Sequence, residues 1–204
     1  TDYWRENGVI GALALIAPER FNTEIVDLLV DKERKTIPGY AIDAFLESLA
    51  LRAPDHTTNR SAEIVGHLLS HPQWTDRVWD MVVRVACVPG HALNAEWLHE
   101  NLGNRILPER DLTWSEWLSG STTGSKETVV SMLLEWAWHP AAEDTELPDD
   151  VAGLATLSLG WMLASSDRRV RDRATKALVR VADRAPYGFA AALERFRNCN
   201  DPYV

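Results

Sequence analysis

The chain has 204 residues, 46% hydrophobic and 25% charged, with a formal net charge of −9. That length fits one domain or one block of a longer repeat array, and the composition is that of a protein able to build a sizeable core, which excludes a disordered chain. Nucleic acid is not an expected partner of a surface this acidic, and two distant cysteines, Cys87 and Cys199, read as reduced thiols in a cytoplasmic setting rather than as a disulfide framework.

Taken in chain order, proline and glycine punctuate segments whose apolar period is close to 3.6. Residues 8–17 and 19–30 read as an opening helix pair split by Pro18. Residues 38–52 carry Ile42, Phe45, Leu46 and Leu49 in register, and Pro54 ends them. Helices are expected next over 59–70, over 74–88 with Val78, Met81, Val82 and Val85 on one face, and over 92–102. A short tryptophan-rich helix follows at 112–118, then one over 127–138 with Val130, Leu133, Leu134 and Ala137 aligned. Residues 149–164 are apolar almost all round, so both sides of that helix should be covered. Its uncharged run, 151–166, is shorter than the roughly 20 apolar residues of a membrane span, so no membrane is expected. The last expected helix covers 188–197.

No segment alternates as a half-buried strand would, so the fold class is all-α. About eleven helices joined by short turns predict an α-solenoid of antiparallel helix pairs, HEAT- or armadillo-like, with a closed bundle as the alternative. Residues 1–204 read as one helical-repeat block, with 1–104 and 105–204 as candidate sub-blocks. The absence of an initial methionine, and an ending at DPYV just after NCND, make both ends look cut from a longer chain.

The stretch SSDRRVRDRATKALVRVADRAP, residues 165–186, is the best-specified element. Val170, Ala174, Ala177, Leu178, Val181 and Ala185 fall on one side of a helix, with Asp167 as its N-cap and Pro186 as its stop. Arg169, Arg173, Lys176, Arg180 and Arg184 form a second stripe. Residues 166–204 hold nine basic against five acidic side chains, whereas 1–165 hold twelve against twenty-five. The basic stripe is therefore a candidate partner-binding surface. Its readings are a hand for nucleic acid, the charged back of a buried helix, or a face for an acidic protein, and the second is preferred.

The pattern D-x-x-V-R-x-x-A-x-x-A-L, from Asp167 through Val170, Arg171, Ala174 and Ala177 to Leu178, resembles the second helix of a HEAT repeat. In that repeat the arginine after the valine meets an aspartate of a neighbouring repeat. The wider run WMLASSDRRVRDRATKALVRV, with its following apolar helix and DPYV, resembles the helical-repeat region of large bacterial STAND-type P-loop ATPases, some of them antiphage sensors. PERDLTWSEWL, residues 108–118, resembles another element of that region, and the likeness covers about residues 105–204. The resemblance implies a non-catalytic segment that recognises a trigger or holds its parent inactive. Its implied partners are proteins or other domains of the same chain.

Motifs for chemistry are weak, and no cofactor or metal is expected. GSTTGSKET, residues 120–128, lacks the P-loop order because Ser125 separates Gly124 from Lys126 and a helix precedes it, so it reads as a turn. Glu63, His67 and His71 share a helical face but lack the H-E-x-x-H order and a third ligand, and His91, Glu96, His99 and Glu100 are read likewise. Of nine tryptophans most read as core; Trp114 and Trp117, beside a polar loop, are candidates to line a partner surface. The rival class is a HEAT-like-repeat DNA-repair enzyme of the alkylpurine glycosylase kind, which would need a basic concave surface.

Overall fold

The computed structural model describes residues 2–30, 36–121, 127–139 and 146–199. Among them every regular element is a helix and there is no strand, so the chain is all-α. None of these helices is long and apolar enough to cross a membrane. The chain divides into two compact units, Thr1–Met81 with Gly90–Ala92, and Val82–Pro89 with Leu93–Val204. The sequence division at 104/105 thus falls inside the second unit.

The first unit begins with α1 (Asp2–Phe21), followed by α2 (Ile25–Leu28), α3 (Gly39–Leu49), α4 (Asn59–Leu68) and most of α5 (Pro72–Val85). The expected break at Pro18 is corrected: α1 runs through it, and the chain turns instead at Asn22, whose φ of 49° is the left-handed conformation that asparagine tolerates at a helix end. A proline inside a helix removes the N–H that would bond the carbonyl four residues earlier, here that of Ala14. Arg52 supplies the missing donor: its Nη2 donates to the Ala14 carbonyl at 2.9 Å. The same guanidinium grips Glu24 bidentately, at 2.9 and 2.8 Å, and Ser61 Oγ donates to Glu24 at 2.6 Å. Arg52 and Glu24 are both buried, and Ser48 Oγ accepts a further bond from Nη2 at 2.8 Å. Ser61 also closes the capping box of α4 with Thr58, so the start of α4 and the proline defect of α1 are tied into one network.

The second unit contains the last turn of α5, then α6 (Ala95–Gly103), α7 (Leu107–Arg110), a π-helical turn (Asp111–Ser115), α8 (Glu116–Ser121), α9 (Val129–Trp138), α10 (Asp149–Met162), α11 (Arg168–Arg184) and α12 (Pro186–Glu194) with a 3₁₀ turn, Arg195–Asn198. The central element is α10. As its all-round apolarity requires, ten of its residues are buried, and it packs against α6, α11 and α12. Gly188 of α12 approaches its start so closely that an added Cβ would lie 2.3 Å from the Asp149 carbonyl oxygen, while Asp149 Oδ1 accepts the Gly188 N–H at 2.9 Å. At the other end the missing Cβ of Gly160 admits the Phe196 ring.

Side chains serve carbonyls in the last turn of α10 and in the link that follows it. Trp114 Nε1 donates to the Trp161 carbonyl at 2.9 Å, and Arg171 Nη1 to those of Ser165 and Ser166 at 2.6 and 2.9 Å. The arginine of the HEAT-like pattern therefore meets backbone carbonyls here. On α11 Asp167 Oδ1 accepts the Arg169 N–H at 2.8 Å, and Val170, Ala174, Ala177, Val181 and Ala185 of the expected stripe are buried, while Leu178 is only half-buried. The turn expected at 120–128 lies mostly outside the described residues, as does DPYV; Thr128 caps α9 by accepting the Ser131 N–H.

Candidate interaction groove

Ten residues, VVSMLLEWAW, make α9, and only Ser131 and Glu135 among them are polar. Val130, Leu133, Leu134 and Ala137 are buried, as their register predicts. A second apolar face remains outside: Met132 is 59% and Trp136 41% exposed. With Val129 and Leu133 they form one wall of a groove whose other wall is the end of α5, Val83 and Arg84, with Cys87 just beyond. The groove has a volume of about 380 Å³. Burial pushes the Cys87 thiol up to about 12, so it is a protonated and weakly nucleophilic part of the lining. The register of Val130, Leu133, Leu134 and Ala137 marks only the stronger stripe of α9, and the signal for the second is the near absence of polar residues in the helix.

The basic stripe of α11 lies where the sequence puts it, but much of it is engaged. Arg173 pairs with Glu135 of α9 at 3.5 Å, and Arg169 pairs with its own N-cap, Asp167, at 2.9 Å. The Arg180 guanidinium lies 5.5 Å from the Trp138 ring centre, Arg184 is half-buried, and Lys176 is exposed. Trp114 and Trp117 are corrected: both are buried, their ring centres 5.1 Å apart, and neither lines a surface. The π-helical turn places Trp114 so that its indole reaches the α10 backbone.

No comparison with known proteins returns a relative: no family model, no curated protein and no solved structure matches the chain.

The histidines do not assemble a metal centre, and among the described residues no group of three potential ligands is present. The His67 and His71 rings meet edge to face 4.8 Å apart, while Glu63 pairs with Arg60. His91 is buried, with Nε2 3.1 Å from the Leu49 carbonyl. His99 accepts the Trp161 indole N–H at Nδ1, and Glu96 pairs with Arg195. Burial lowers the pKa of His91, helped by Arg52, and burial with the Arg195 charge lowers that of His99; both are neutral at pH 7. A second, polar crevice of about 530 Å³ is lined by Asp111, Ser115, Glu116, Ser119 and Arg171 among others. Its groups mostly bond to one another or to backbone: Ser115 to Asp111, Ser119 to Ser166, and Arg171 to the end of α10.

Proposed function

We propose that this chain is a non-catalytic α-solenoid segment that recognises a protein or holds a neighbouring domain of its own chain inactive. The parent implied by the resemblance is a bacterial STAND-type ATPase, with antiphage sensing as its setting. The observation that carries the recognition role is the second apolar face of α9, where Met132 and Trp136 stand exposed beside a concave lining. Methionine, tryptophan and arginine are the residue types concentrated in protein interfaces. Engagement of the basic stripe by Glu135, Asp167 and Trp138 favours its reading as a charged helix back over a nucleic-acid hand. Thermal melts with and without ATP and magnesium test the non-catalytic role, because a ligand selective for the native state raises its stability by mass action. No shift is expected, and a reproducible rise in Tm sinks it. The coding sequence upstream tests the parentage: an in-frame P-loop domain supports it, and an independent start codon opposes it.

A further inference from the structure

We propose that the groove between the end of α5 and α9 docks an amphipathic helix of a protein partner, with an acidic residue flanking that helix's apolar stripe. The proposal rests on the protein-recognition reading above and names the partner's chemistry. Val129, Met132 and Trp136 follow one another at i, i+3 and i+7, the spacing of a single helical stripe. That run spans about 10 Å, enough to lie along two turns of a second helix. Val83 and Leu133, one from each wall, are buried and apolar, whereas Met132 and Trp136 stand exposed. An unbranched methionine adapts to whatever apolar side chain enters, and a tryptophan wall supplies a large contact area.

The mode of recognition follows by comparison. A partner strand needs a sheet edge, and no strand exists among the described residues. A polyproline segment needs an aromatic-lined groove, and this groove offers one ring, that of Trp136. A small-molecule site needs several polar groups converging on the ligand. Here the polar groups are one guanidinium and a thiol held protonated. A trough walled by two helices and lined by apolar side chains suits a helix.

Arg84 sets the charge of the occupant. It is exposed, lines the groove and has no ion-pair partner among the described residues. A carboxylate on the docked helix would pair with it, and a lysine there would be repelled. Because the chain as a whole is acidic, this attraction is local and supplies register more than steering.

Panning the intact chain against a displayed library of helical peptides, diversified at i, i+3, i+4 and i+7 and at flanking positions, tests this. Recovered peptides should be amphipathic with a flanking Asp or Glu. Their binding, read by fluorescence anisotropy, should weaken at least about tenfold in Met132→Glu and in Trp136→Ala, as for a central interface anchor. Arg84→Glu should weaken it too, and changing the peptide's acidic residue to lysine should restore it. All three side chains are exposed, so unchanged circular dichroism and melting confirm that each variant folds. Peptides that bind the Met132→Glu chain equally well overturn the groove and leave the recognition role standing. A library that yields no binder overturns the helix as occupant and leaves the proposed function to the thermal and coding-sequence tests above. Two further results overturn the helix as occupant: a groove that takes anilinonaphthalene sulfonate but no peptide, and a concentration-dependent dimer abolished by Met132→Glu.

Discussion

The two units keep order in their interiors by opposite means. The first holds a buried ion pair, Arg52 with Glu24, placed where Pro18 strips the Ala14 carbonyl of its helical donor. Around Trp161 the second gathers rings, with His99 and Phe196 centroids each 5.7 Å away and the Arg110 guanidinium at 5.4 Å; Gly160 admits the Phe196 ring there, and Gly188 lets α12 close on the other end of α10. A buried charge pair is costly to desolvate and is replaceable in principle by apolar side chains. Its presence in the first unit is explained by the backbone defect it repairs. Where the backbone is regular, as in α10, shape alone suffices.

The largest effect expected is in the first unit. Arg52→Ala leaves the Glu24 carboxylate buried without a partner and the Ala14 carbonyl without a donor, and should cost about 3–5 kcal/mol in urea unfolding. Arg52→Lys should recover little, since an ammonium cannot hold a bidentate pair and a carbonyl together. The decisive arm is Pro18→Ala, which returns an N–H to the Ala14 carbonyl. It should stabilise the Arg52→Ala chain by about 1–3 kcal/mol more than it stabilises the parent. Effects that add to within about 0.5 kcal/mol would break the link between proline and arginine.

The second unit should instead be intolerant of volume. A methyl at Gly188 meets the Asp149 backbone at 2.3 to 2.9 Å, and one at Gly160 meets Phe196 at 2.6 and 2.8 Å. Gly188→Ala and Gly160→Ala should each cost about 1–3 kcal/mol, the former more because backbone yields less than a ring. Phe196→Leu should relieve Gly160→Ala and leave Gly188→Ala untouched. Failure of that selectivity would show that the glycines act through helix propensity and not through fit.

How much of this was legible follows from where each cause lies in the chain. The N-cap, apolar stripe and proline stop of α11 are local, and the all-round apolarity of α10 states its burial; both could be read directly. Pro18 misled because the residue that rescues it, Arg52, lies thirty-eight positions away from the carbonyl it serves. The π-helical register at 111–115 has no local signature; it accompanies the reach of Trp114 and Ser115 to the end of α10. For the same reason Trp114 and Trp117 looked like surface beside a polar loop and are core. The groove stayed hidden because α9 carries two apolar faces and periodicity reports the stronger one.

Acid should erode both units through one histidine each. The pKa values of His91 and His99 are lowered in the fold, so folding favours their neutral forms. That contribution is complete above the ordinary histidine pKa of about 6.5 and is lost as pH falls below it. His99 loses in addition its Nδ1 acceptor for the Trp161 indole when it is protonated. His91→Gln and His99→Gln should each flatten the fall in Tm between about pH 7 and pH 5, and His99→Gln the more. A parent chain whose Tm does not change over that range would contradict both assignments.

The smallest effect is expected on the basic stripe of α11, which is also where the two readings of the chain separate. Arg173 and Glu135 are both well exposed at 3.5 Å, so Arg173→Ala should change stability by no more than about 1 kcal/mol. A charged helix back needs no more than that, because the burial of Val170, Ala174, Ala177 and Val181 holds α11. A nucleic-acid hand needs something else: cations that leave their protein partners and release counterions from phosphates, with affinity falling steeply as salt rises. Titration with labelled single- and double-stranded oligonucleotides at physiological salt should therefore show no appreciable binding. Micromolar binding that disappears when Arg173, Lys176 and Arg180 are changed together to glutamate would defeat the charged-back reading. It would also revive the DNA-handling class, even though Arg173 already has Glu135 and Arg180 already has the Trp138 ring.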